Sequence, residues 1–185
     1  GTGQDDAAEA AMQEPLPAHK RAEILVRVAA ALGRRHDEVA RLISDEAGKP
    51  MKAARIEASR AMSTYAFSAV EARKLAGEMV PMDASQAGEG KLAFTLRRPI
   101  GVVGAISPFN FPLNLAAHKL APAIAAGNTI VLKPPSKDPL TMLTVAEIVA
   151  QAGLPPGAVS ILPMTRELGD RMVADERFKL LTFTG

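Results

Sequence analysis

Apolar positions in the first third of the chain recur at helical spacing. Ile24, Leu25, Val28, Ala31 and Leu32 fall on one face of a helix, with Gly33 as its expected stop. Asp37 is placed to cap a second helix whose apolar face is Val39, Leu42, Ile43 and Ala47. Gly48 stands where a left-handed C-terminal cap belongs, with Pro50 beyond it. From Met51 to about Ala76 the chain is Ala-rich, and length and propensity predict helix, with Ile56, Met62, Phe67, Val70 and Leu75 as its apolar members. Turn formers dominate 77–90, leaving room for a short Met79-Val80-Pro81 strand at most. Lys91 to Arg98 alternates, placing Leu92, Phe94 and Leu96 on one face, which predicts a half-exposed strand at a sheet edge or in an oligomer arm.

From Ile100 the pattern becomes βαβαβαβ. Strands are expected at Gly101–Ile106, Thr129–Leu132, Ala158–Leu162 and Leu180–Phe183, each short, mostly apolar and suited to burial on both faces. Helices are expected near Pro112–Ala126, Pro139–Ala152 and Glu167–Asp175, with Gly127-Asn128 and Gly153 as exits and Pro122 bending or breaking the first. Such alternation predicts a parallel sheet with right-handed crossovers. The fold class is therefore α/β: N-terminal helices (1–78), a β arm (79–99) and a Rossmann-like open parallel sheet (100–185). Neither an internal repeat nor a low-complexity tract is present.

Composition narrows the function. Nearly half of the 185 residues are hydrophobic (48%), enough for a substantial core. There is no cysteine, which excludes disulfides, thiolate metal sites and a thiol nucleophile from these residues and fits a reducing compartment. A net charge of +2 with scattered basic residues leaves no nucleic-acid footprint. No apolar run approaches the roughly 20 residues that span a bilayer, and no signal-peptide pattern opens the chain. The expected setting is the cytoplasm, with neither membrane nor nucleic acid as partner. Gly1 is not a methionine, and Thr184-Gly185 stands just after a strand, so the chain is expected to be part of a longer enzyme.

Candidate chemistry gathers at strand ends, where open α/β sheets build ligand crevices. Ser107-Pro108-Phe109-Asn110-Phe111-Pro112 follows the first strand, and Lys133-Pro134-Pro135-Ser136 the second. The Asn110 amide is suited to donate to a developing oxyanion, and the Lys133 ammonium to grip hydroxyls or phosphate. Ser136 and Lys137 share that rim, where a hydroxyl beside an ammonium accommodates a 2′-phosphate better than a carboxylate would. Ordinary readings stand beside these. Asn110 is also placed for an Asx turn or helix cap, Lys133 for simple solvation, and Phe109 and Phe111 equally for the core or an apolar slot. Gly-x-Gly-x-x-Gly is absent, because Gly101-Val102-Val103-Gly104 lies within a strand; motif alone thus disfavours a standard Rossmann dehydrogenase. His19, His36 and His118 lack metal spacing and read as surface or packing residues. Glu167-Leu168-Gly169-Asp170 reads as a helix opening in which Gly169 allows close approach of a ligand.

The wording of the chain resembles the aldehyde dehydrogenase superfamily. Pro108-Phe109-Asn110-Phe111-Pro112-Leu113, Lys119-Leu120-Ala121-Pro122-Ala123, Gly127-Asn128, Lys133-Pro134, Pro139-Leu140-Thr141, Gly153-Leu154-Pro155-Pro156-Gly157 and Phe183-Thr184-Gly185 carry the likeness. So do Arg21-Ala22-Glu23-Ile24-Leu25 and Glu46-Ala47-Gly48-Lys49-Pro50 upstream. The stretch from Asn110 to Ile124, with Ser136-Lys137 and Gly169-Asp170, is similar to the lactaldehyde and non-phosphorylating glyceraldehyde-3-phosphate branch. The resemblance implies oxidation of a small aldehyde to an acid with NADP or NAD, by a homo-oligomer (dimer or tetramer). It makes Asn110 the side-chain oxyanion donor and Lys133 the holder of the adenosine ribose. Ile106, Ser107, Pro108 and Phe109 become the wall beside the cofactor, Pro135, Ser136 and Lys137 its rim, and Phe183, Thr184 and Gly185 the start of a turn meeting pyrophosphate and ribose. The family's nucleophilic cysteine and general-base glutamate fall beyond Gly185, so these residues alone should be inactive. Phe109 replaces a common tryptophan, Ser136 stands where NAD-preferring members often carry glutamate, and Met164-Thr165 replaces a glycine-rich stretch. Two alternatives remain: a non-catalytic nucleotide-binding or scaffold module, and an enzyme that passes the acyl group to coenzyme A.

Overall fold

The computed structural model describes residues 3–12 and 16–185. It opens with helix α1 (Gly3–Met12), which no apolar period announces, followed by α2 (Ala18–Arg34), α3 (His36–Ala47) and α4 (Met51–Ala72). In α2 the expected face is realised, with Ile24, Leu25, Val28 and Leu32 buried. Each such side chain contributes about 1.5–3 kcal/mol by leaving water. Gly33 is not the stop: α2 continues to Arg34, and a Cβ at Gly33 would lie 3.1 Å from Met62 Cε, so this glycine serves close packing against α4. Asp37 is not a cap either. Arg35 occupies that position without a side-chain cap bond, while Asp37 sits in the first turn and accepts from Arg55 Nε at 2.9 Å. Gly48 does close α3 in the left-handed conformation, at φ 63°.

The largest departure concerns α4. Its buried face is Ala54, Glu57, Ala58, Ala61, Tyr65, Ala69 and Ala72, whereas Ile56, Phe67 and Val70 point outward, Phe67 being 74% exposed. Leu75 lies past the helix end and is also exposed. α4 packs against both α2 and α5 (Asn114–Ala126), and small side chains allow that double approach. Beyond it, β1 (Met79–Val80) pairs antiparallel with β2 (Ala93–Phe94), joined through two short 3₁₀ turns. The strand expected across Lys91–Arg98 is thus only two residues long, and Leu92 is 75% exposed.

Four parallel strands form the sheet: β3 (Val102–Ile106), β4 (Thr129–Lys133), β5 (Val159–Ile161) and β6 (Phe178–Phe183), in the order β5-β4-β3-β6. α5, α6 (Leu140–Gln151) and α7 (Arg166–Val173) alternate with them, as the pattern requires. Pro122 lies inside α5 without ending it, and the residue is exposed. Gly127 and Gly153 take positive φ at helix exits, and Asn128 Oδ1 accepts from Ile100 N at 2.7 Å and Gly101 N at 3.2 Å, anchoring the start of β3. One sheet face, bearing Val103, Ala105, Ile130 and Leu132, joins the core built by α2 to α6. The other, bearing Val102 and Val131, is covered by Ala8 of α1 and Met172 of α7. Among the described residues no helix is long and apolar enough to cross a membrane.

Candidate active site

Register brings the predicted residues to one level. Ile106 pairs with Lys133 on one side and with Phe183 on the other, so three strand ends finish side by side. Backbone bonds carry the ladder one step further: Ser107 N donates to Lys133 O at 3.2 Å, and Thr184 N to Ile106 O at 3.3 Å. A cleft of about 540 Å³ opens there. Its lining comes from Ile106 to Asn110, from Pro135 to Lys137, and from Phe183 to Gly185. These are the strand ends and loops at which crevices of open α/β sheets form.

Asn110 is exposed on this lining. Phe109 and Phe111 are not core residues; both are exposed. Lys137 Nζ stands 5.3 Å from the Phe109 ring centroid, which ties the second loop to the first by a cation–π contact. Ser107 is 4% exposed, and its Oγ is buried without a hydrogen-bond partner among the described residues. A buried hydroxyl on a cleft wall, left unpaired, is costly unless something in the cleft completes it.

Lys133 departs from the expected shared cavity. It sits beside Ile106 in register but is not among the lining residues, because its aliphatic chain runs along α7. A Cβ at Gly169 would stand 3.2 Å from Lys133 Cδ and 3.3 Å from Cε, so the glycine makes room for that lysine. Gly169 is buried at this flank, and α7 is opened by Thr165, whose Oγ1 accepts from Leu168 N at 3.3 Å. The Met164-Thr165 departure from a glycine-rich stretch is therefore a helix cap.

Lys119 is a neighbour that sequence reasoning missed. Buried on α5, its Nζ donates to Thr184 Oγ1 at 2.8 Å and Thr182 Oγ1 at 3.1 Å, under the Phe183–Gly185 end of the cleft. Burial pushes its ammonium below the usual lysine range. Its position within an apolar helix was the available signal, since a lysine amid buried residues requires partners. The histidines have ordinary roles: His19 and His118 are exposed, and His36 Nε2 is 3.1 Å from Arg55 O and 3.0 Å from Ser59 Oγ. Among the described residues no His, Cys, Asp or Glu cluster suits a metal ion.

Comparison with known proteins agrees with this geometry. The pattern of the aldehyde dehydrogenase family matches residues 5–185. A 3-sulfolactaldehyde dehydrogenase from Priestia aryabhattai is 40% identical over 179 residues, covering 96% of this chain and 38% of the relative. A lactaldehyde dehydrogenase from Methanocaldococcus jannaschii is 41% identical over 175 residues, covering 92% of this chain and 36% of its own length. Among solved structures, aldehyde dehydrogenase 21 from Physcomitrella patens, in complex with the reaction product succinate, superposes with a TM-score of 0.94 at 46% identity, over 98% of this chain and 38% of that one. Glyceraldehyde-3-phosphate dehydrogenase GapN from Methanocaldococcus jannaschii, complexed with NADP, gives 0.92 at 39% identity, over 99% and 40%. The chain thus spans somewhat over a third of the length of the relatives it matches. On the family pattern, the sheet and the crevice at its strand ends, the chain belongs to the aldehyde dehydrogenase family.

Proposed function

We propose that these residues form the cofactor-binding part of an enzyme that oxidises a small aldehyde to a carboxylic acid with NADP or NAD. The observation that carries this reading is the cleft, which joins the Asn110 carboxamide to a buried, unpaired Ser107 hydroxyl within a family of dehydrogenases. Ser107, Pro108 and Phe109 would wall the cofactor, and Phe183, Thr184 and Gly185 would meet it at the opposite strand end. Lys133, with Gly169 beside it, would hold the ribose along α7. Ser136 and Lys137 form a rim without a carboxylate, which favours a 2′-phosphate and hence NADP. NADP is also what the GapN structure holds. The bound cofactor would accept hydride; Asn110 would donate to the oxyanion that forms when a thiolate adds to the aldehyde. No cysteine occurs in these residues, so on this reading the thiolate would be supplied from outside them.

The same lack of cysteine is what a non-catalytic nucleotide-binding module would show. Reading the coding sequence onward from Gly185 separates the two: a cysteine and a glutamate are expected, and their absence would end the enzyme reading. In the complete polypeptide Asn110→Ala is expected to lower kcat about a hundredfold, and an unchanged kcat would refute the role. Assay with and without coenzyme A identifies the acyl acceptor. We place the enzyme in the cytoplasm as a homo-oligomer, supported by the exposed Leu92, Phe94 and Leu96 of the β arm.

A further inference from the structure

Behind the Asn110 loop lies a carboxylate that the cleft does not display. Glu57, in the second turn of α4, is 1% exposed. Its Oε1 accepts from Leu113 N at 3.0 Å and from Asn114 N at 3.1 Å. These belong to the first turn of α5, whose N–H groups have no acceptor within the helix and whose dipole favours negative charge. The other oxygen, Oε2, pairs with Lys49 Nζ. That ammonium also stands 3.9 Å from the centroid of the Phe111 ring. One ion pair, buried at the glutamate and partly exposed at the lysine, therefore holds the turn at two points, the ring of Phe111 and the amides of Leu113 and Asn114. Asn110 is the residue immediately before Phe111. The second loop is held alike: Glu46 at the end of α3 accepts from Leu140 N and Thr141 N, both at 2.7 Å, and from Thr141 Oγ1 at 2.6 Å, at the start of α6.

We propose that Glu57, through its pair with Lys49, is a positioning residue for the Asn110 carboxamide. An oxyanion donor works only when aimed at the place where charge develops, and a misplacement of about 1 Å costs on the order of a hundredfold in rate. The carboxylate suits this task because it accepts at both oxygens. A carboxamide at this position would keep one acceptor and turn the other group into a donor facing the Lys49 ammonium. This role presupposes the dehydrogenase reading above, and the test distinguishes the two.

The test is a double-mutant cycle on kcat in the complete enzyme, using Glu57→Gln, Asn110→Ala and both together. Glu57→Gln is expected to lower kcat about tenfold with KM for the aldehyde little changed. In the Asn110→Ala background it is expected to add nothing, because it acts through that carboxamide. Amide hydrogen exchange across 107–114 is expected to quicken in Glu57→Gln. Lys49→Met is expected to reproduce the effect and Lys49→Arg to restore most of it; this arm carries the cycle if the Glu57 variant fails to fold. Multiplicative losses in the double variant, an unchanged kcat in Glu57→Gln, or unaltered exchange across 107–114 would each overturn the proposal. Absence of aldehyde oxidation in the complete enzyme would instead refute the dehydrogenase reading, and full kcat in Asn110→Ala the oxyanion role, while the exchange measurement would still judge the grip on the turn.

Discussion

Asp138 offers a measurable consequence of the acidic groups gathered behind the cleft. It is 1% exposed, and among the described residues its Oδ1 has no hydrogen-bond partner. Burial first, then the charges of Glu46 and Glu57, raise its carboxyl from 3.8 to about 6, against smaller opposing pulls from a hydrogen bond of its own backbone N–H and from Lys49. Below pH 3.8 the folded and unfolded chains both hold the proton. Between 3.8 and about 6 the folded state holds a proton that the unfolded state has released, so stability falls as pH rises. Above about 6 the loss is complete. A rise of roughly two pKa units sets a ceiling of about 3 kcal/mol. Asp138→Asn removes the charge but leaves a carbonyl without a partner, which reduces the expected gain at pH 7.5 to about 1–2 kcal/mol. In a chain of this size that is a melting temperature higher by about 4 °C. Thermal melts of both forms from pH 4 to 8 should place the Asn form below the wild type near pH 4, by the carbonyl penalty, and above it at pH 7.5, with the curves crossing between. A constant offset, or a less stable Asn variant at pH 7.5, would refute the electrostatic account.

Three further outcomes are expected. Ser136→Glu should lower kcat/KM with NADP relative to NAD by about tenfold, through repulsion of the 2′-phosphate; an unchanged ratio would remove Ser136 from the ribose rim. Gly169→Ala should leave the fold within about 0.5 kcal/mol, because the crowded atoms belong to the flexible Lys133 chain, while raising KM for the cofactor. Equal cofactor KM in that variant would place the ribose elsewhere. Gly77→Ala should open the hairpin, since its Cβ would stand 1.5 Å from the Thr95 carbonyl oxygen, and light scattering should then report a smaller assembly. An unaltered mass would show that the β1–β2 arm does not join subunits.

The second half of the chain was legible because its elements obey local rules. Strands buried on both faces read as continuous apolar runs, and the glycines at 127 and 153 mark left-handed exits whatever surrounds them. The residues lining the cleft were equally visible, since they follow directly on strand ends. The inward face of α4 was not: apolarity selects Ile56, Phe67 and Val70, whereas close packing against two helices selects Ala54, Ala58, Ala61 and Ala69. Pattern cannot show that the demand at a contact is for small size. Glu57, Glu46 and Lys119 were missed for another reason. Their partners lie 56, 94 and 65 positions away in sequence, and no local period encodes such pairings.

The missing glycine fingerprint after β3 has a physical counterpart. In the usual dinucleotide fold the pyrophosphate sits on the N-terminus of the helix that follows the first strand, and glycines let the backbone approach it. Here that helix is α5, and its Leu113 and Asn114 N–H groups are bound to the Glu57 carboxylate. A phosphate brought to the same place would meet a buried negative charge instead of free donors, and α6 is closed to it in the same way by Glu46. Glycines would gain nothing there, so proline and aromatic residues occupy the turn and stiffen it around Asn110. The resemblance instead assigns the pyrophosphate to the 183–185 strand end and the adenosine ribose to Lys133, and on the proposed reading both lie away from the α5 terminus. The acid on α4 that excludes a phosphate from α5 is the same one that holds the end of the loop preceding that helix, where Asn110 presents its carboxamide.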